Sequence, residues 1–170
     1  MLRGLVRDVP DFPRPGILFR DIAPLLADRA AFAAAVDALV SRAGAFGPVD
    51  TVVGIEARGF ILAAPVAYRY GAGFVPVRKA GKLPWATHAR TYDLEYGTAT
   101  LEVHRDAFAP GERVLLVDDV LATGGTVEAT RALVEQAGAE VAGCAVLLEL
   151  AALGGRARLA GLAVAALLAY

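Results

Sequence analysis

Two adjacent carboxylates, Asp118 and Asp119, follow the apolar run at residues 114–117 and lead through Val120, Leu121 and Ala122 into Thr123, Gly124, Gly125 and Thr126. An ionised carboxylate only accepts hydrogen bonds, so an adjacent pair suits a vicinal diol such as the 2- and 3-hydroxyls of a ribose, or a hydrated Mg²⁺. The small residues after it can offer backbone N–H groups and two hydroxyls to a phosphate, and the start of a helix adds its positive dipole end. Glycine lets that backbone come close to the anion. A sugar phosphate satisfies both halves of the segment. Neither the G-x-x-x-x-G-K-[ST] loop nor a G-x-G-x-x-G turn after a strand is present, which argues against a nucleoside triphosphatase or a dinucleotide enzyme.

A second group of candidates is cationic. The only two lysines, Lys79 and Lys82, stand three apart in a chain whose other positive charges are arginines. Arg78 precedes them, and Arg58 follows Glu56 and Ala57 just after another apolar run. A compact, mobile ammonium differs from a planar guanidinium, so the clustering of both lysines points to an anion that must be reached and released.

These residues need elements to hold them. Residues 113–117 predict a buried strand, 118–125 a polar loop, and 126–137 a helix closed by Gly138. Asp28 predicts an N-cap, with Phe32, Val36, Leu39 and Val40 at helical spacing up to Gly44. A strand is expected over 51–55, a helix over 60–70 with Pro65 in an early turn or at a kink, and strands over 74–77, 141–150 and 161–170. Residues 79–91 show no period and predict a long loop, and 92–95 with 98–104 predict a hairpin around Tyr96 and Gly97. The first 27 residues hold Pro10, Pro13, Pro15 and Pro24 and predict an extended, turn-rich arm. Strands alternating with helices imply an α/β fold with a mainly parallel sheet covered on both faces. Open sheets of that kind bind ligands beyond the carboxyl ends of their strands, where Asp118 and Asp119 fall.

Composition narrows the class. With 170 residues, 17 basic and 18 acidic, the chain fits one domain of ordinary size, and a net charge of −1 gives no support for electrostatic nucleic-acid binding. The lone Cys144 cannot form an internal disulfide, and no charged start leads into an apolar signal core, so a reduced, cytoplasmic setting is expected. The longest apolar stretch, 159–170, is too short to span a membrane. His88 and His104 lack metal-ligand spacing, and Cys144 sits in an apolar strand.

Residues 114–126 resemble, at every position, the phosphoribosyl-diphosphate signature of type I phosphoribosyltransferases. Residues 11–25, with Phe12, Pro13, Phe19, Arg20 and Asp21, look like the amino-terminal signature of the adenine-specific subfamily. Residues 78–84 and 94–97 are similar to that subfamily's mobile loop. The resemblance implies the type I fold: a single domain over 1–170 with a small hood (1–27) on a core (28–170), a central mainly parallel sheet and flanking helices. It implies a pentosyltransferase of purine salvage, making AMP and diphosphate from adenine and phosphoribosyl diphosphate with Mg²⁺ as cofactor, as a homodimer. It carries the phosphoribosyl group to Asp118, Asp119, Ala122, Thr123, Gly124, Gly125 and Thr126, with Mg²⁺ held by the substrate or by the two aspartates. It carries diphosphate to Glu56, Ala57, Arg58, Arg78, Lys79 and Lys82, with an unusual peptide bond between Glu56 and Ala57. Adenine falls to the Phe19 ring and to main-chain groups of Leu18 and Arg20.

Forming a carbon–nitrogen bond to the purine requires loss of a ring proton, and Glu95 is the candidate base, with Tyr96 shielding the reaction centre. Trp85 stands where the family has a smaller residue, a departure confined to the packing of the closed loop. Two competing readings remain: a 6-oxopurine or xanthine phosphoribosyltransferase, and a non-catalytic regulator sensing phosphoribosyl diphosphate. Phe19, Arg20 and Asp21 argue for adenine, and no helix-turn-helix domain is expected ahead of residue 28.

Overall fold

The computed structural model describes residues 1–93 and 97–170. In chain order its elements are β1 (Arg7–Pro10), β2 (Leu18–Asp21), α1 (Ala23–Ala27), α2 (Arg29–Ala43), β3 (Thr51–Ile55), α3 (Gly59–Tyr70), β4 (Gly73–Lys79), β5 (Thr87–Asp93), β6 (Thr98–His104), β7 (Arg113–Leu121), α4 (Gly125–Gln136), β8 (Glu140–Glu149), α5 (Gly155–Arg158) and β9 (Val164–Ala169).

A seven-stranded sheet has the order β5-β6-β4-β3-β7-β8-β9. Strands β4, β3, β7, β8 and β9 pair in parallel, while β6 runs antiparallel to both β4 and β5. The central strands alternate between two apolar layers, as a period of two requires. Val52, Leu115, Val117, Ala145 and Leu147 face the layer built with α2 and α3. Val53, Leu116, Cys144 and Val146 face the opposite layer with Leu133 and Val134 of α4. Helix α2 begins as its sequence requires, the Asp28 carboxylate accepting from Ala31 N at 2.8 Å, a cap worth about 1 kcal/mol.

The chain leaves β3 through α3 to reach β4 on one side, whereas β7 lies on the other side of β3. Connections therefore diverge between the carboxyl ends of β3 and β7, which opens a crevice there. The amino-terminal segment forms a two-stranded antiparallel hairpin, with Val9 opposite Phe19.

Three expectations need correction. Residues 87–91 form a strand rather than a loop: β5 is the sheet's outer strand, its register running from Thr87 opposite His104 to Asp93 opposite Thr98, and an edge strand needs no apolar alternation. The strand β7 continues through both aspartates to Leu121, because Asp118 still pairs with Val146 and Leu121 with Glu149. Residues 1–27 are more ordered than an extended arm, holding the hairpin and α1. Pro65 lies in the interior of α3. The short helix α5, which begins at the second glycine of the Gly154–Gly155 pair, has no counterpart among the sequence expectations.

Candidate active site

The crevice is a cleft of about 400 Å³ lined by residues from both predicted groups, among them Glu56, Arg58, Lys79, Asp118, Asp119 and Thr126. Its floor is the end of β7. Asp118 and Asp119 are both buried, and Asp119 N donates to Asp118 Oδ1 at 2.9 Å. Burial, and for Asp118 the neighbouring Asp119 charge, push both carboxyls above the usual range; the Arg58 guanidinium works against this, most strongly at Asp119. Arg58 Nε lies 2.7 Å from Asp119 Oδ2, an ion pair by distance, but no N–H is aimed well enough to make a hydrogen bond to that buried oxygen. The floor therefore holds an acceptor with spare capacity, as a diol or a hydrated cation would use.

Close packing sets the position of these acids. A methyl group on Gly59, the first residue of α3, would stand 2.7 Å from Asp118 Oδ1 and 3.1 Å from Val117 O. Only glycine lets α3 start that near the floor.

Beyond the floor, residues 122–124 form the turn into α4, with Gly124 in the left-handed region at φ 84°. The turn rests on α5. A methyl group on Gly124 would lie 2.8 Å from Gly155 O, and one on Gly155 would collide with Ala122 O and lie 3.1 Å from Gly124 N. Gly155 thus shapes the cradle from about thirty residues downstream; the sequence signal was the Gly-Gly pair, which also reads as a simple turn.

Across the cleft, the peptide bond between Glu56 and Ala57 is cis. The Glu56 side chain is 6% exposed and gathers the cationic group. It pairs with Lys82 Nζ, lies 3.3 Å from Arg78 Nε, and accepts from Lys79 N at 2.9 Å. Arg78 also donates to Lys82 O at 3.2 Å. Burial alone would raise the Glu56 carboxyl; the hydrogen bonds from Lys82 and from Lys79 N, with the Lys82 and Arg78 charges, outweigh it and hold it below its ordinary value. The structure thus makes Glu56 the counter-ion of the diphosphate-binding candidates, whereas the resemblance had grouped it with them.

The hood brings its aromatic face to the same place. The Arg58 guanidinium lies 5.3 Å over the Phe19 ring, and Phe12 packs edge-on to Phe19 at 5.1 Å. Leu18 and Phe19 begin β2, and Arg20 pairs with Asp8 across the hairpin. Its guanidinium also lies 4.3 Å over the Tyr170 ring. Tyr92, which the sequence reading passed over, lines the cleft and accepts a hydrogen bond from Thr126 Oγ1 at 3.2 Å. Glu95 and Tyr96 lie outside the described residues, as does Leu94. Cys144 is buried and its thiol is pushed up by burial, away from any nucleophilic role.

A phosphoribosyl transferase domain model matches residues 25–159, most of the chain. The chain is 64% identical over 163 residues to the adenine phosphoribosyltransferase of Acidothermus cellulolyticus, covering 96% of this chain and 92% of that protein. It belongs to the adenine phosphoribosyltransferase family. The family's architecture recurs in solved structures: that of the Rhodothermus marinus adenine phosphoribosyltransferase superposes with a TM-score of 0.93 at 54% identity, covering 99% of this chain and 96% of that one. The Saccharomyces cerevisiae enzyme, crystallised with an imino-altritol bisphosphate and adenine, superposes with a TM-score of 0.91 at 38% identity, over 96% and 94% of the two chains. The type I phosphoribosyltransferase fold expected from residues 114–126 is the fold observed.

Proposed function

We propose that this cleft makes AMP and diphosphate from adenine and phosphoribosyl diphosphate, as an adenine phosphoribosyltransferase. One observation carries the assignment of roles: Asp118 and Asp119, Ala122 and Thr126 of the phosphate turn, and Glu56 with Arg58 and Lys79 line a single cleft. Phosphoribosyl diphosphate has the matching layout, a 5-phosphate and a diphosphate separated by a ribose diol.

Breaking the bond from the anomeric carbon to diphosphate builds positive charge on the ribose ring and negative charge on the leaving group. Asp118 and Asp119 hold the diol and sit under the cationic sugar, and the turn 122–126 holds the 5-phosphate with backbone N–H groups and the Thr123 and Thr126 hydroxyls. Diphosphate takes Arg58, Arg78, Lys79 and Lys82, together with the backbone of Ala57. Lys82 leaves Glu56 for the incoming polyanion, so Glu56 keeps the loop cations together until that exchange. Adenine stacks on Phe19, and main-chain groups of Leu18 and Arg20 read its edge. A 6-oxopurine would leave that backbone pair mismatched, which discriminates strongly. Glu95 takes the ring proton as the carbon–nitrogen bond forms, and Tyr96 excludes water.

The oxygen-only, partly unsatisfied donor set of Asp118 and Asp119 fits Mg²⁺. Asp118 and Asp119 would hold the ion together with oxygens of the substrate. When bound, the ion neutralises leaving-group charge. A homodimer accords with Ile61 and Tyr68, seven residues apart on α3 and both exposed. A cytoplasmic setting accords with the single buried cysteine, and among the described residues no helix is long and apolar enough to cross a membrane.

Incubation of the protein with phosphoribosyl diphosphate, Mg²⁺ and labelled adenine, hypoxanthine or guanine tests the reading. Labelled AMP from adenine alone is expected. Bound phosphoribosyl diphosphate with no product from any base would overturn catalysis in favour of a sensor, and product from hypoxanthine or guanine would overturn the role given to the hood.

A further inference from the structure

Tyr92 stands on β5, one position before the end of the strand at Asp93 and three before Glu95 in sequence. Its place is fixed by the ladder, opposite Ala99 of β6. Three observations tie it to the phosphate cradle. Its hydroxyl lies 3.2 Å from Thr126 Oγ1. Its ring lines the cleft along with Asp118, Asp119, Ala122 and Thr126. A methyl group on Gly125 would sit 3.4 Å from Tyr92 Cδ2 and 3.5 Å from Asp93 O. Strand β5 thus packs within van der Waals reach of the cradle at Gly125.

The Thr126 and Tyr92 hydroxyls share one hydrogen bond at 3.2 Å, which uses one of their two protons and leaves the other for a ligand. A phosphate monoester entering the cradle supplies strong acceptors at that spot, and a hydroxyl donating to a charged oxygen makes one of the stronger hydrogen bonds available to a neutral side chain.

We infer that Tyr92 is a substrate-binding residue, its hydroxyl donating to the 5-phosphate of the phosphoribosyl group beside Thr126. The inference rests on the proposed function, and it assigns Tyr92 to the monoester end of the substrate and away from the diphosphate end.

Calorimetric titration of the intact protein and of Tyr92→Phe, with ribose 5-phosphate and separately with inorganic pyrophosphate, tests it. The Phe variant keeps the ring and its packing. Affinity for ribose 5-phosphate is expected to fall about tenfold, the loss of one hydrogen bond to a charged group, with affinity for pyrophosphate unchanged. In turnover, KM for phosphoribosyl diphosphate is expected to rise with little change in KM for adenine. Unchanged ribose 5-phosphate affinity in Tyr92→Phe would overturn the inference, as would an equal loss for both ligands, which marks a disturbed cleft. A wild-type protein that makes AMP and yet shows no Tyr92→Phe effect would sink this inference alone. A wild-type protein that binds neither ribose 5-phosphate nor phosphoribosyl diphosphate would sink the proposed function and this inference with it.

Discussion

Gly155 offers a direct test of how the phosphate cradle is supported, because it is remote in sequence and touches no substrate in the scheme above. A methyl group there would collide with the Ala122 carbonyl oxygen and stand 3.0 Å from Leu121 Cδ1 and 3.1 Å from Gly124 N. Two of those three atoms are backbone, so rotating the Leu121 side chain cannot relieve the clash. Relief demands a shift of the turn against α5 on the order of 1 Å, at a cost of about 1–3 kcal/mol typical of overpacking. The α5 side resists moving. Arg156 donates to both Glu149 carboxylate oxygens at 2.9 and 2.6 Å and to Val164 O at 2.8 Å, and Arg158 holds Glu128 at 2.6 Å. The displacement therefore falls on residues 122–124, where a misplacement of about 1 Å can cost on the order of 100-fold. Gly155→Ala should lower the melting temperature by roughly 3–10 °C for a chain of this size. It should also weaken ribose 5-phosphate by about 10- to 100-fold in calorimetry. Gly154→Ala is the matched control: its φ of 70° makes a side chain strained, yet nothing lies within 4 Å of the added methyl. It should cost about 1 kcal/mol of stability and leave the affinity intact. Folded Gly155→Ala protein that binds ribose 5-phosphate like the wild type would refute the claim that this glycine shapes the cradle.

Other outcomes follow from the same geometry. The native carboxyl of Asp118 is raised by burial and the Asp119 charge, so its effect on stability is most favourable below the unfolded value of about 3.9 and declines as pH rises toward the native one. Asp118→Asn should accordingly raise the melting temperature of the ligand-free protein at neutral pH and flatten its decline above pH ~4, while abolishing phosphoribosyl diphosphate binding; a less stable variant at pH 7 would contradict this. Glu56 has the opposite sign, its clamp being present above its unfolded value and lost as acid protonates the lowered native carboxyl. Glu56→Gln should speed amide exchange at Lys79 about tenfold, the loss of a hydrogen bond to a charged acceptor, and unchanged exchange would remove the clamp from the account. The guanidinium groups of Arg3 and Arg20 lie 4.5 and 4.3 Å over the Tyr170 ring, tying the hood to the end of β9. Tyr170→Ala, losing about 1–2 kcal/mol of cation–π contact, should raise KM for adenine several-fold and spare that for phosphoribosyl diphosphate; equal changes in both would place the defect outside the hood.

What could be read from the chain was whatever the chain keeps local. The acids, the glycine turn and the helix start are contiguous from 114 to 126, so their joint chemistry was visible before any fold was known, and the cap at Asp28 was legible for the same reason. Even the end of β7 was misjudged, because two carboxylates read as loop until pairing with β8 shows them buried in a strand. Strand β5 was invisible for a related reason: an edge strand exposes both faces for much of its length, so Thr87, His88 and Arg90 leave no alternation to detect.

The contacts that escaped join segments far apart in sequence. Glu56 meets Lys82, Tyr92 meets Thr126, and Gly155 meets Ala122. No spacing rule reaches these pairs, and they change what the motifs mean. As one acid among basic neighbours Glu56 looked like part of a diphosphate site, but it is buried with two cations on its oxygens, and in the proposed reaction it is the group diphosphate displaces. Residue type told which chemistry was available, and the long-range contacts decide which side chain performs it. Gly155→Ala and Tyr92→Phe are informative for that reason: each disturbs the cradle from outside the segment that announces it.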